Sequence, residues 1–271
     1  MTEIMKEKEK ASEITAEAEN QTEYNWIKFS FMAAAAATLL IYLVIPLFFI
    51  LISSADRHGE VPDFSGICIS LMFSQLPVIV LLLFLALVPY RTLSVREKFK
   101  IRNWKYQYLL LIPAVEMIFL PLSWIIIVLT QYIFKSVFNT ELPAQDIQKV
   151  LLYCDRETFL LLAAAAVIVA PLIEELIFRK LLFDYLHIKL GRKSAVCITS
   201  FIFASVHLAL LQFPALFFMG IILQLIYLNY NSVIPSVMMH ILHNSTAVLL
   251  ILIVRIFIDQ PLFKAIFEQL Q

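Results

Sequence analysis

The sequence is short of charged residues. Only 15% of its 271 residues are Asp, Glu, Lys or Arg, whereas 61% are hydrophobic. Soluble globular domains carry about 25% charged residues, so this composition excludes a soluble domain. The long runs without charge predict a polytopic membrane protein instead.

Cysteine and glycine are also scarce. Cys68, Cys154 and Cys197 form no CxxC or other metal-ligand spacing, and we expect them to be small buried side chains within or beside membrane spans. With four glycines in all, the helices are expected to pack through Ala and Ser or less closely. Linkers rich in Gly, Pro or Ser and internal repeats are missing from the sequence as well.

About seven apolar segments are long enough, or nearly so, to cross a bilayer as helices. They comprise residues 27–53, 68–89, 107–134, 158–178, 194–211, 214–230 and 233–258. The fifth and sixth are marginal against the roughly 20 residues of a span, and are expected to be tilted or re-entrant. The predicted fold class is an all-α polytopic membrane bundle of about seven to eight transmembrane helices.

The predicted organisation follows these segments. It comprises a polar cytoplasmic tail (1–26), N-terminal transmembrane helices (27–135), an extracytoplasmic loop or amphipathic segment (136–157), a catalytic transmembrane core (158–258) and a C-terminal tail (259–271). The first of these parts lacks the positive start and short apolar core of a signal peptide, so we expect a solvated tail.

Basic residues set the predicted orientation. The loop from 91 to 105 carries six Lys or Arg residues against one acid, which places it in the cytoplasm. Alternation of the spans then puts a second basic cluster, between residues 179 and 193, on the same side. The protein is expected to be integral to a bacterial cytoplasmic membrane, with its site open to the cytoplasm.

Two adjacent acids interrupt an apolar run late in the chain. Glu174 and Glu175 follow the uncharged stretch 159–170, and a carboxylate in hydrocarbon costs roughly 3 kcal/mol even on insertion scales. Arg179 lies four residues after Glu175, so the two share a helix face and can pair. Glu174 lies about 100° away without a local cation and must face water, a metal ion or another helix. The alternative is that both acids snorkel to the cytoplasmic interface.

Two later segments add imidazoles and a carboxamide. His207 lies in the fifth segment, where a single histidine is more often a packed side chain than a catalyst. His240 and Asn244 are four residues apart, so they share a face of the last helix, and both can donate to an oxyanion. His243 lies about 60° from His240 on the helical wheel and is interpreted as secondary or structural.

These groups favour water activation over covalent catalysis. A carboxylate and an imidazole together can take a proton from water, and a pair of donors can stabilise a tetrahedral oxyanion. Neither serine nor cysteine is placed beside a base as a nucleophile. Counted from the cytoplasmic edge, Glu174, His240 and His207 lie at different depths. They meet only if residues 181–192 dip into the interface or if the fifth helix starts outside the bilayer.

The ordered motifs EExxxR, FxxxH and HxxxN, each on a membrane helix, resemble the CPBP (Abi) family of intramembrane proteases. That family includes the eukaryotic prenyl-protein (CAAX) endopeptidases and bacterial relatives linked to bacteriocin self-immunity and peptide processing. The resemblance covers about residues 158–250. It implies an intramembrane endopeptidase acting on a membrane-embedded peptide or a lipidated protein, with the bilayer and no nucleic acid as partners.

The resemblance also implies a role for each motif side chain. The first carboxylate would activate water with the histidine of the fifth segment, and the His/Asn pair would form the oxyanion pocket. The second carboxylate and the arginine would support them. The implied catalytic residues are Glu174, His207, His240 and Asn244, and the supporting residues are Glu175 and Arg179.

Metal participation is left open by the sequence. Glu174, His207 and His240 form a set of two histidines and one glutamate that could hold zinc, with water as the fourth ligand. The HExxH spacing of soluble zinc proteases is absent, and the resembled family has been described both as metalloproteases and as glutamate-dependent enzymes. We expect water activated by Glu174 and His207, with zinc as the alternative.

Two other functions use the same residues. One is a catalytically silent scaffold that binds a peptide, as in bacteriocin immunity, and the other is a proton-coupled transporter. The presence of all four implied catalytic side chains counts against the first, and the missing inverted repeat counts against the second. Glu116, in the middle of the third segment, is interpreted as a structural acid bonded to a neighbouring helix. The alternative role for it is a proton-relay or substrate-binding group.

Overall fold

The computed structural model describes residues 15–18, 20–22, 24–26, 28–29, 32, 100–101, 105–143 and 146–257. Strands are absent from this part of the chain, and its helices follow one another in antiparallel order. From residue 100 onward they are α1 (Tyr108–Phe138), α2 (Asp146–Tyr153), α3 (Arg156–Leu190), α4 (Arg192–Val206), α5 (Phe213–Tyr230) and α6 (Val233–Phe257). The predicted all-α fold class is confirmed for these residues.

Four of the described helices, α1, α3, α5 and α6, are long and apolar enough to cross a membrane. The protein is therefore an integral membrane protein. The predicted count of seven to eight spans is not confirmed. The predicted spans 27–53 and 68–89 lie largely outside the described residues, and the fifth is the 15-residue helix α4.

The start of α3 is fixed by a capping aspartate. Asp155 accepts hydrogen bonds from the backbone N–H groups of Glu157 and Thr158, each at 2.9 Å, and from the Thr158 hydroxyl at 2.6 Å. The Thr158 hydroxyl, followed by its backbone N–H, holds the pKa of the Asp155 carboxyl below its usual value. A charged cap at this end also complements the positive end of the helix dipole.

The helical pitch of α3 changes along its length. Two π-helical stretches interrupt it, at Ala165–Val169 and Leu176–Leu182. In the first, the N–H of Ala170 bonds to the carbonyl of Ala165, five residues back. The next residue, Pro171, has no N–H at all. The carbonyl of Ala166 therefore receives a backbone hydrogen bond from neither residue and is left for another helix.

Helices α3 and α4 form an antiparallel hairpin around Gly191. This glycine has φ of 78°, a conformation that glycine adopts without steric cost. Glu174 and His207 are almost equidistant from it along the chain, about 25 Å at 1.5 Å per residue. The two arms therefore return His207 to the level of Glu174, because α3 continues to Leu190 before the chain turns.

One end of the bundle gathers the basic regions. The ammonium group of Lys100 lies 3.1 Å from Asp184 near the end of α3, and the N–H of Val233 donates to the Lys100 carbonyl at 3.3 Å. Asp184 also accepts from buried Lys180 at 2.6 Å and from the Tyr227 hydroxyl at 3.0 Å. Lys100 and the basic end of α3 thus lie on one side of the bundle, as the charge pattern predicts.

The opposite end is held by an arginine. Arg255, in the last turn of α6, donates to the carbonyl of Leu151 at 3.1 Å and to the carbonyl of Cys154. These bonds tie α2 and the start of α3 to α6. Cys154 is buried there, but Cys197 on α4 is exposed, so the expectation of buried cysteines is wrong for Cys197. Cys68 lies outside the described residues.

Helices α4 and α5 touch at Gly220. A Cβ atom placed on Gly220 would lie 3.0 Å from both the Cα and the Cβ of Ser200, closer than side chains pack. A glycine is therefore required where these two backbones approach. The small Ser200 side chain faces it from α4.

Part of the N-terminal segment contacts the bundle. Its described residues from 15 to 32 are helical, and Trp26 is 1% exposed in the core that contains Tyr108 and Ile112. Lys189, near the end of α3, donates to the Tyr24 hydroxyl at 3.1 Å. Trp26 and Tyr24 thus contact the bundle, whereas most of the other described residues of this segment are exposed.

Candidate active site

Glu174, His207 and His240 meet at a single carboxylate oxygen. The Oε2 atom of Glu174 lies 3.9 Å from Nε2 of His207 and 3.8 Å from Nε2 of His240. This oxygen is buried and accepts no hydrogen bond from any described residue. These separations exceed a direct hydrogen bond, and a water molecule beside the three groups can bridge them. A carboxylate and two imidazoles can therefore contact one small ligand at this site.

Hydrogen bonds at Nδ1 determine which ring nitrogen is basic. Nδ1 of His207 lies 2.7 Å from the Phe203 carbonyl oxygen, and Nδ1 of His240 lies 3.1 Å from Oε1 of Glu175. A carbonyl or an ionised carboxylate can only accept, so each Nδ1 carries the proton. In the neutral rings Nε2 is then the free base. Both free nitrogens are the ones that face Glu174.

Glu175 is the anchor of this arrangement. It is fully buried and makes a two-pronged ion pair with Arg179, at 2.9 Å to Nε and 3.2 Å to Nη2. The i, i+4 spacing predicts this pair. A third contact, to His240, links α3 to α6 through the same carboxylate. Glu175 is thereby neutralised locally and orients the imidazole, whereas Glu174 keeps an oxygen available.

Phe203 packs against three of the polar side chains. Its buried ring lies 5.0 Å from Cζ of Arg179, and its centroid lies 4.8 Å from the His207 ring and 5.8 Å from the His240 ring. An aromatic face stabilises a guanidinium group placed over it. The first residue of the FxxxH motif thus supports the site by packing, and its carbonyl holds His207.

Asn244 is held by α3. Its Nδ2 donates at 2.8 Å to the carbonyl of Ala166, the backbone oxygen that the π turn and Pro171 leave unused. A carboxamide has two N–H bonds, so one remains for a ligand. No sequence pattern indicated this contact, because a backbone carbonyl has no side-chain signature.

Glu116 pairs with His243. The carboxylate oxygens lie 3.1 and 3.3 Å from Nδ1 of His243, and Glu116 is only 5% exposed. A lone acid in the apolar helix α1 signalled that a partner exists, and the contact agrees with the expected bond to a neighbouring helix. Nothing in the sequence identified the partner.

Several of these groups border one cavity of about 400 Å³ between the helices. Glu174 and the three histidines contribute to its wall, together with Asn244. Most of the remaining wall is apolar and comes from α1, α2, α5 and α6, including Phe119, Trp124, Leu151, Met219, Val248 and Ile251. An apolar chamber with a few converging polar groups is typical of a binding site.

The donor set has the composition of a zinc site but not its spacing. Two ligands at about 2.0–2.1 Å from one tetrahedral zinc ion are about 3.4 Å apart, whereas the Glu174 oxygen lies 3.8 and 3.9 Å from the two nitrogens. Among the described residues, no group of three or more His, Cys, Asp and Glu side chains is placed to hold a metal ion. The oxygen therefore lies about 0.4–0.5 Å farther from each nitrogen than two ligands of one zinc ion lie from each other.

Comparison with known proteins identifies one family. Residues 156–246, about a third of the chain, match the family model for type II CAAX prenyl endopeptidase Rce1-like proteins. The match spans α3 to the middle of α6 and includes all the motif residues, whereas Glu116 lies outside it. It confirms the resemblance that the motifs indicate, and with the membrane-spanning helices it indicates an intramembrane protease. Comparison with the curated proteins and with the solved structures found no match.

Proposed function

We propose that this protein is an intramembrane endopeptidase that hydrolyses a peptide bond by water activated at Glu174 and His207. The observation that carries the proposal is the buried, unpartnered Oε2 of Glu174, facing the Nε2 atoms of two imidazoles. A buried carboxylate oxygen without a donor is costly unless a ligand satisfies it. Water bound there would be polarised by the carboxylate and the imidazole together.

The hydrolytic step uses the groups in order. Glu174 takes one proton from the bound water while Nε2 of His207 accepts a hydrogen bond from the remaining O–H, and the hydroxide oxygen attacks the peptide carbonyl carbon. The C–N bond then breaks as the tetrahedral intermediate collapses, and Glu174 returns its proton to the leaving nitrogen. Atoms and charges balance, and neither serine nor cysteine is needed as a nucleophile.

His240 and Asn244 are proposed to stabilise the oxyanion. Asn244 has one amide N–H left after its bond to Ala166. Because Nδ1 of His240 donates to Glu175, the ring can donate from Nε2 only as an imidazolium. The Glu175 carboxylate stabilises that imidazolium, as an orienting carboxylate does in a catalytic triad. The buried Arg179 in turn balances the second negative charge.

The proposed substrate is a membrane-embedded or lipid-anchored peptide, in particular one with a prenylated cysteine. The apolar cavity wall suits a hydrocarbon chain, and the matched family is named for prenyl endopeptidases. We propose that the basic end of the bundle faces the cytoplasm of a bacterial cell, and the cavity wall reaches the opposite end at α2. The gathering of basic residues at one end of the bundle supports that orientation.

Cleavage of a defined peptide tests the function. The purified protein in proteoliposomes would be given a fluorescence-quenched peptide with a farnesylated cysteine three residues from its C-terminus, and mass spectrometry would identify the products. Wild type should cleave it, and Glu174→Gln should not. Glu157→Gln is the matched control, because Glu157 is an exposed acid at the start of the same helix. Binding of the peptide without cleavage would favour a silent peptide-binding protein.

A further inference from the structure

His243 is a third imidazole in the cavity wall, and the hydrolytic step above leaves it unused. It lies on α6, is partly exposed to the cavity and contacts Glu116 of α1. The Phe119 ring packs 5.4 Å from it on the same side. Both supports come from a helix that contributes nothing to the motif residues.

The position of His243 on α6 determines which side of the cavity it borders. On a helical wheel His240 lies between the other two, with His243 about 60° to one side and Asn244 about 40° to the other. His243 is bonded to α1 and Asn244 to α3. The two side chains therefore flank the cavity one turn beyond His240, each supported by a different neighbouring helix.

The contact with Glu116 fixes the state of the His243 ring. A carboxylate accepts, so Nδ1 carries the proton and Nε2 of the neutral ring remains as an acceptor. A buried acid in an apolar helix is costly unless paired, and here its pairing holds an imidazole at the cavity wall. A purely structural acid would not need a partner that borders the chamber.

We propose that His243, positioned by Glu116, is a substrate-binding residue whose Nε2 accepts a hydrogen bond from a backbone N–H of the bound peptide. This inference rests on the proposed function. A peptide strand in an apolar chamber brings N–H groups that find no water there, and each needs an acceptor from the wall. His243 supplies one on the side opposite Asn244, so the strand lies between the two.

Amide replacements can separate binding from support. The amide nitrogen of asparagine can replace Nδ1 of histidine, and the longer glutamine side chain reaches the position of Nε2. His243→Asn should therefore keep the bond to Glu116 but lose the contact in the cavity, and His243→Gln should recover part of it. Ser245→Ala is the matched control, because Ser245 bonds to its own helix at Ile241 and does not border the cavity.

Both kinetics and direct binding would be measured with the farnesylated peptide. His243→Asn should raise KM about tenfold, the worth of one hydrogen bond, with kcat within about twofold and an unchanged thermal unfolding midpoint. In a Glu174→Gln background, which cannot cleave, fluorescence anisotropy should show the same tenfold loss of affinity. His243→Gln should lie between wild type and His243→Asn, and Ser245→Ala should match wild type.

Several outcomes decide the matter. Wild-type KM and affinity in His243→Asn would overturn the inference and leave the pair as a structural bond, and so would a fall in kcat alone. If His243→Asn unfolds, the double variant Glu116→Leu/His243→Leu removes the buried charge with its partner, and wild-type affinity in it overturns the inference. If wild type binds the peptide without cleaving it, the proposed function fails. The proposed His243 contact is then still tested by the anisotropy measurement of peptide affinity.

Discussion

The amide nitrogen of Asn244 donates at 2.8 Å to the carbonyl oxygen of Ala166. This oxygen is available because the N–H of Ala170 bonds one residue further back and Pro171 has none to give. A helix irregularity just before the acidic pair thus sets the position of an amide on α6. Local π turns are frequent at functional sites, and here the contact gives one a specific use.

Pro171→Ala should impair catalysis without unfolding the protein. Alanine restores an N–H that can bond to the Ala166 carbonyl and displace Asn244 from it. Loss of one oriented oxyanion donor can cost up to about 10²–10³ in rate, and partial displacement should cost less, about tenfold in kcat. The kcat and the thermal unfolding midpoint would be measured together. Pro121→Ala, at an exposed proline inside α1, is the control, and wild-type kcat in Pro171→Ala would refute the link.

The adjacent carboxylates should not be equivalent. Glu174→Gln removes the base and keeps the shape, so turnover should be abolished with little change in the unfolding midpoint. Glu175→Gln leaves Arg179 buried without its carboxylate, which typically costs about 3–5 kcal/mol, so the yield and the unfolding midpoint should fall. Cleavage assays and thermal unfolding separate the two effects. A Glu174→Gln protein that cleaves at the wild-type rate would show that the base is elsewhere.

His240 and Asn244 should act as one unit on the oxyanion. Each single alanine variant should lose about 10²–10³ in kcat, or about 3–4 kcal/mol of transition-state stabilisation. The double variant should lose less than the sum, because one missing donor already misplaces the intermediate. Full additivity in this cycle would mean that the two side chains serve different steps.

The orientation can be tested with cysteines at exposed sites on opposite ends of the bundle. Thr140 follows α1 and Ser194 lies in the first turn of α4, and both are exposed. In a background without native cysteines, Thr140→Cys should react with an impermeant thiol reagent in intact cells, whereas Ser194→Cys should be protected. The reverse pattern would place the basic end of the bundle on the outer side.

Hydrolysis should survive removal of divalent metals. The proposed mechanism uses water activated by Glu174 and His207 without a metal ion, so dialysis against 1,10-phenanthroline should leave kcat/KM unchanged, and elemental analysis should find less than one zinc per chain. His240→Ala and Asn244→Ala should then have the same metal content. One zinc per chain that is lost in His240→Ala and kept in Asn244→Ala would establish a metalloprotease instead.

Contacts within one helix could be predicted from the sequence. Glu175 and Arg179 are four residues apart, and that spacing alone places them on one face. The common face of His240 and Asn244 follows in the same way. Long apolar runs also locate four of the spans, because lipid leaves a buried chain little choice but a helix.

Contacts between distant helices could not be predicted. Glu116 and His243 are 127 residues apart, and no local pattern links them. The end of α4 could not be predicted either, because the sequence stays apolar beyond His207. The helix ends at Val206, because Leu208 has φ of 51°, which a helix cannot contain. Hydropathy indicates whether a segment prefers water or lipid, and it does not locate such a turn.

Because the chain turns at Gly191, the lengths of the two arms of the α3–α4 hairpin determine the relative height of Glu174 and His207. Glu174 and His207 stay level only while the two arms have matching lengths, since each added residue shifts a side chain by 1.5 Å and rotates it by about 100°. One residue inserted near Lys189 would separate the carboxylate from its imidazole without touching either. Seven residues, close to two full turns, would restore the rotation but leave the two groups about 10 Å apart in height. The chain length between two motifs is therefore as much a part of this site as the motifs themselves.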